Sequence, residues 1–161
     1  MNRDKLTRNA VHNLLRQQKL GVLSTVGENG PYASLVAFAV ADDDHRLFFV
    51  TPRATRKFAN ISANAQVALL VNNSINNPED FHKAAAVTAV GIATPVSLPE
   101  LETIREQYLA KHPYLEEFAH SPSCELIEIR VERYILVERF QNVTEYRIDH
   151  DMDHAAGRRH H

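Results

Sequence analysis

The residues of this chain whose types and spacing could do chemistry gather in FFVTPRATRKFANISANAQVALLV, which sets Thr51, Arg53, Thr55, Arg56 and Lys57 between a strand end and the first turn of a helix. A helix start presents unpaired backbone N–H groups and the positive end of the dipole, an arrangement that suits a phosphate. Two threonine hydroxyls add donors, Arg56 can grip phosphate oxygens with a bidentate fork, and Lys57 adds a point charge. On the residues alone two readings stand. One is a bound phosphomonoester; the other is a set of solvated charges at a helix terminus, the commoner use of such a cluster.

Other reactive side chains are scattered. Cys124 is the single cysteine; no activating neighbour can be identified, and PSCELIEI reads as the start of an apolar strand. His150 and His154 stand four apart among Asp149, Asp151 and Asp153, with His160 and His161 beyond. On a helix that pair could hold a metal or haem iron, but residues 149–161 read as a mobile His-rich tail beyond a domain of residues 1–148. His45 falls in a polar turn, His82 in a loop, and His112 near a helix end. Tyr32, Tyr108 and Tyr114 could roof a ligand, although packing is the more ordinary role of such residues. The chain shows no Ser-His-Asp arrangement, no zinc spacing and no glycine-rich nucleotide loop.

The elements that must position the cluster are short and mostly extended. Leu6, Ala10, Val11, Leu14 and Leu15 recur at helical spacing between Asp4 and Gln18. LGVLSTV and PYASLVAFAV read as strands joined at an Asn-Gly pair suited to a tight hairpin. The second is apolar on both faces, so core covers one and something else the other. ADDDHR turns the chain into RLFFVT, which makes an antiparallel meander. A short helix carries Phe58 and Ile61, then QVALLVNN, the polar turn NNSINNPED and AAAVTAVGIATPV follow, Gly91 marking a bend or bulge. Ser97 and Glu100 have capping-box spacing ahead of a helix with Leu101, Ile104 and Tyr108 on one stripe, interrupted by Pro113. CELIEIRVERYILVERF alternates apolar and charged residues, as half-exposed antiparallel strands do. The pattern predicts a mainly β, α+β fold: a barrel of about six to seven antiparallel strands with peripheral helices.

At 161 residues the chain suits one domain. Its net charge of -2 excludes the basic excess of a nucleic-acid or membrane-surface binder. No run approaches membrane-spanning length, and the charged N-terminus lacks the apolar core of a secretion signal. With one cysteine and no internal disulfide, a cytoplasmic location is expected.

The spacing T-x-x-x-T-R-K ahead of a helix ending in SANAQVALL resembles the FMN-phosphate motif of the pyridoxamine 5′-phosphate oxidase-like split-barrel family. GVLSTVGENGPYASLVAFAV is similar to that family's first hairpin, and VTAVGIATPVS to a later strand with Gly91 in place. The likeness is close from Leu20 to Asn73 and looser through Phe140. It implies a split β-barrel that binds FMN at a homodimer interface. Arg56 and Lys57 would hold the FMN phosphate, helped by Thr55. Val50 and Thr51 would lie beside the cofactor, and Ser34, Leu35, Val36 and Ala37 would run along the isoalloxazine ring, mainly through backbone groups and apolar contact.

The chain also departs from the oxidases proper. It has no tryptophan, and ERFQNVTEYRIDHD lacks their closing Arg-Leu-Pro-type motif. Ser34 stands where the oxidase has an arginine, and Ala86 where it has a glutamine. These departures argue against vitamin B6 oxidation and allow a different cofactor, such as the deazaflavin F420. The resemblance implies an FMN-dependent oxidoreductase of a small-molecule substrate, in which the cofactor supplies the chemistry and no side-chain acid or base is required. Alternatives are a haem-binding or haem-degrading protein of the same group, and a non-enzymatic flavin-binding module.

Overall fold

The computed structural model describes residues 2–150. Helix α1, Arg3–Gln17, is capped by the Asn2 side chain, which accepts from the Asp4 N–H. Strands β1 (Leu20–Gly27), β2 (Gly30–Val40) and β3 (Arg46–Pro52) form the expected meander. Helix α2 (Arg56–Ala63), β4 (Gln66–Asn72), the one-turn helix α3 (Asp80–Lys83) and β5 (Ala85–Pro95) follow. Helices α4 (Leu101–Lys111) and α5 (Glu116–His120) precede the long β6 (Cys124–Glu138) and β7 (Asn142–Arg147).

All neighbouring strands are antiparallel, in the order β3-β2-β1-β4-β5-β6-β7, and a further β3–β6 pairing closes β1–β6 into a six-stranded barrel with β7 as an extra strand. The expected mainly β, α+β barrel with peripheral helices is the observed fold. Two hydrophobic clusters hold it. Leu23, Phe38, Phe49, Leu69 and Ile127 fill the interior, joined by Val11, Leu14 and Leu15 of α1 and Ile61 of α2. Outside the barrel, Ile104 and Tyr108 of α4 pack on Ala39, Phe48, Val50 and Leu126.

Several local expectations change in three dimensions. Leu6, assigned to the apolar stripe of α1, is exposed; the buried stripe of that helix runs through Thr7, Val11, Leu14 and Leu15. In the first hairpin Gly27 pairs with Gly30, so Glu28 and Asn29 form the turn and Gly30 alone takes the left-handed φ of 115°. The Ser97 side chain caps no helix: the Glu100 N–H bonds the Ser97 carbonyl at 3.1 Å in a 3-10 turn over Leu98–Glu100, and the Ser97 hydroxyl lies 3.3 Å from the Glu100 carboxylate. CELIEIRVERYILVERF holds one long strand, and its hairpin partner β7 lies in NVTEYR, whose polar composition gave no strand signal. Gly91 does sit at a register shift between β5 and β6, where an added Cβ would fall 2.2 Å from the Arg130 carbonyl oxygen.

Candidate functional site

The barrel is split where β2 and β3 part. Their ladder contains only Phe38↔Phe49, Ala39↔Phe48 and Val40↔Leu47, although β2 begins at Gly30 and β3 runs on to Pro52. Beyond Phe38, β2 keeps β1 on one edge, and beyond Phe49, β3 keeps β6 on one edge. Antiparallel residues alternate the edge to which they offer N–H and C=O. Phe38 donates to Lys19 O on the β1 side, and Ala41 donates to Arg46 O on the β3 side. Ala33 and Leu35 therefore turn their backbone groups into the split.

The sequence-nominated residues fall around this opening. Ser34, Leu35, Val36 and Ala37 lie along the free part of β2, Val50 and Thr51 along the free part of β3, and Thr55, Arg56 and Lys57 at the start of α2 that follows. Val36, Val50 and Thr51 are buried, whereas Leu35 is 66% exposed. The Ser34 hydroxyl oxygen is buried and has no hydrogen-bond partner, a condition rare in folded proteins.

The start of α2 is built by the two threonines. Thr55 is the N-cap, its Oγ1 accepting from the Phe58 N–H at 3.3 Å. Thr51 Oγ1 lies 3.0 Å from Thr55 Oγ1, and both reach Pro52 O, at 3.2 and 2.9 Å. The first helical bond runs from Ala59 N–H to Thr55 O, so the N–H groups of Arg56 and Lys57 precede it and are not met by the cap. The first turn of α2 carries no acidic residue, and among the described residues neither Arg56 nor Lys57 has a carboxylate within salt-bridge distance. The Arg56 guanidinium lies 5.7 Å from the Tyr32 ring centroid. These two residues, with Asn60 and the β1–β2 turn, line a concavity of about 530 Å³.

Arg53 separates from the cluster. Its guanidinium bonds Glu125 Oε1 at 2.9 Å and Pro122 O at 2.5 Å, fastening the loop to the start of β6. What remains at the start of α2 is two cations with no carboxylate at salt-bridge distance among the described residues and two N–H groups the cap does not meet, with the buried hydroxyl of Ser34 on β2. That set can hold an anionic, phosphate-bearing ligand whose body lies between the strands.

The other nominated side chains take structural places. Tyr108 is buried and donates its hydroxyl to Ala37 O at 3.1 Å; Tyr114 is 96% exposed. His112 is buried, not merely near a helix end, and its Nε2 lies 2.7 Å from Phe38 O; burial pushes its pKa below the usual imidazole range. His45 is half-buried, and His82, read as a loop residue, lies exposed in the one-turn helix α3. His150 Nε2 lies 2.6 Å from Val131 O, and its ring stands edge-on to His45. Its proposed companion His154, with Asp151, Asp153, His160 and His161, lies outside the described residues. Among the described residues no group of three or more His, Cys, Asp or Glu is arranged to hold a metal, and no helix is long and apolar enough to cross a membrane. Sequence reasoning missed the bond between Tyr108 and Ala37, which joins residues 71 positions apart and leaves no local signal.

Comparison with known proteins agrees with this architecture. The structure is similar to that of a heme binding protein from Mycobacterium smegmatis, with TM-score 0.75 and 16% identity over 83% of this chain and 55% of the other. It is also similar to an FAD-binding protein from Mesorhizobium loti (0.65, 13%, 80% and 90%) and a putative pyridoxamine 5′-phosphate oxidase from Listeria innocua (0.62, 21%, 81% and 98%). The chain thus spans little more than half of the Mycobacterium protein, and at such identities the likeness is one of fold. No curated protein matches by sequence. The family model described as pyridoxamine 5′-phosphate oxidase matches residues 7–138, and the chain belongs to that family.

Proposed function

We propose that this chain binds FMN in the split between β2 and β3, with its phosphate at the start of α2, and acts as an oxidoreductase on a small molecule. The observation that carries this reading is the pair Arg56 and Lys57, two cations without carboxylate partners among the described residues, in a helix first turn where the dipole opposes them. Charges held there against the local field are what an anionic ligand requires. The buried, partnerless Ser34 hydroxyl fits the same ligand. Arg56 and Lys57 would hold the phosphate through side chains and backbone N–H groups, with Thr51 and Thr55 shaping the turn. Val50 and the edge from Ser34 to Ala37 would meet the ring system. FMN, when bound, supplies hydride or electron transfer; the protein binds it, orients it and excludes water. The FAD-binding neighbour supports a flavin in this fold.

A homodimer belongs to the same reading. Leu35, Leu20 and Leu70 are exposed on the adjacent strands β2, β1 and β4. The half of β2 that was expected to be covered on both sides lacks its second cover among the described residues, and a second copy would provide it. The test is a titration of flavin-free protein with FMN, read by absorbance and by sedimentation, followed by addition of nicotinamide donors. One flavin per chain on a dimer, bleached by a donor, is the expected result. A dimer-free protein whose spectrum FMN leaves unchanged refutes the proposal, and the same titration with haemin or F420 separates those alternatives.

A further inference from the structure

The concavity beside α2 is left over once FMN has been placed. Of the residues assigned to the cofactor it shares Arg56 alone; Ser34 to Ala37, Val50 and Thr51 do not line it. It therefore begins where the phosphate site ends. Arg56, Ala59, Asn60 and Ala63 are spaced i, i+3, i+4 and i+7, so they share one face of α2. That face runs about 10 Å from the first turn of the helix to the last. The remaining lining is the end of β1, the β1–β2 turn and Tyr32. At about 530 Å³ the space has the size of a small-molecule pocket.

Its walls carry three kinds of group. Arg56 supplies a cation. Ala59 and Ala63 leave the helix side shallow, while Val26 and Tyr32, 47% and 41% exposed, offer apolar surface against which a flat ring can lie. Two acceptors complete the set. Asn60 Nδ2 donates to Thr25 Oγ1 at 3.0 Å, which fixes the amide and leaves its Oδ1 without a hydrogen-bond partner among the described residues. Glu28, in the turn, lines the same space and has no cation at salt-bridge distance among the described residues. A cation for phosphate, apolar surface for a planar base and a carboxylate for ribose hydroxyls are the recognition set of a nucleotide.

We propose that the concavity between α2 and the β1–β2 turn is a nucleoside subsite, whose occupant sets a phosphate on Arg56, a base against Tyr32 and the two alanines, and its ribose hydroxyls on Glu28. Two bearers share this chemistry: the far half of a dinucleotide flavin whose ring lies in the split, and a separate adenine nucleotide. The first rests on the function proposed above; the subsite itself is reached by ADP without it.

The experiment is calorimetric titration of flavin-free protein with FMN, FAD and ADP, and of FMN-loaded protein with ADP, for the wild type, Ala63→Leu and Glu28→Gln. Both positions are exposed, and neither belongs to the residues assigned to FMN. In the wild type ADP binds, and FAD binds about tenfold or more tightly than FMN. Ala63→Leu, which fills the space, and Glu28→Gln each weaken FAD and ADP by about fivefold or more and leave FMN within about twofold. ADP binding to FMN-loaded protein, with FAD no tighter than FMN, assigns the subsite to a separate nucleotide. Neither ADP binding nor a preference for FAD, with FMN bound, overturns the subsite and leaves the flavin reading standing. FAD and ADP affinities that both variants leave unchanged overturn it as well. ADP binding that the variants weaken, in a protein that takes neither flavin, refutes the flavin reading and supports the subsite.

Discussion

Replacing Arg56 and Lys57 together by alanine separates a binding cradle from a pair of surface charges, because the two predict opposite signs. In the flavin-free protein each cation sits in the first turn of α2 with no acidic neighbour in that turn. Repulsion by the helix dipole is worth about 0.3–1 kcal/mol for each exposed charge. The Arg56–Tyr32 contact offsets about 0.5–1 kcal/mol of this. The double variant should therefore range from about neutral to about 1.5 kcal/mol more stable than wild type in urea. Binding moves the other way. Two charge-assisted bonds to phosphate at about 1.5–3 kcal/mol each weaken the FMN Kd by roughly 10²- to 10⁴-fold. At a hundredfold excess over the wild-type Kd, FMN stabilises the wild type by about 2.7 kcal/mol, so the order of stability reverses on adding cofactor. Flavin-fluorescence titration and urea curves with and without FMN measure both halves. A variant that keeps its Kd within about threefold of wild type, or loses more than about 1 kcal/mol without flavin, refutes the cradle.

Three further outcomes are expected. Ser34→Ala removes a buried hydroxyl that has no partner, so flavin-free protein gains about 1 kcal/mol in urea while FMN binds about tenfold more weakly; lower stability without flavin would contradict this. Gly91→Ala drives a Cβ to 2.2 Å from a backbone oxygen, and a loss on the order of 3 kcal/mol should appear in its thermal unfolding, with a near-neutral result contradicting the tight β5–β6 approach. His112 has its folded pKa lowered by burial above all, with Lys111 and Lys19 adding to the effect and the bond to Phe38 O opposing it. The unfolded chain therefore binds the proton first, and stability declines as pH falls below about 6.5 towards the folded pKa. His112→Gln, which keeps an N–H donor without that titration, should lose less stability between pH 7 and pH 5; equal losses would show that His112 is not responsible.

Much of the frame could be read locally. The strands and the helix after Thr55 announce themselves by periodicity, and Gly91 marks a place where β6 comes too close for a side chain. The cluster from Thr51 to Lys57 was also legible, since the turn that gathers it spans only a few residues. Its membership was not. Arg53 looks like its neighbours in sequence, and only the fold brings Glu125 against it. The Ser97 box failed because the Glu100 N–H bonds the Ser97 carbonyl in a 3-10 turn, and spacing alone does not distinguish that partner from the hydroxyl. Strand β7 was invisible because it lies outside the closed barrel, half in solvent, and needs no apolar alternation.

By itself the sequence determined a mainly β domain, its helices and the cationic start of α2, because these depend on side-chain periodicity and on groups a few bonds apart. The tertiary structure alone decided that β2 and β3 separate at Phe38 and Phe49, that the Ser34 hydroxyl is buried without a partner, and that among the described residues Arg56 and Lys57 lack the ion pair Arg53 enjoys. Each of these is a relation between distant segments, settled by which edge a carbonyl faces and what the barrel leaves room for. A hydrogen bond such as that from Tyr108 to Ala37 exists only once closure has brought α4 over the split.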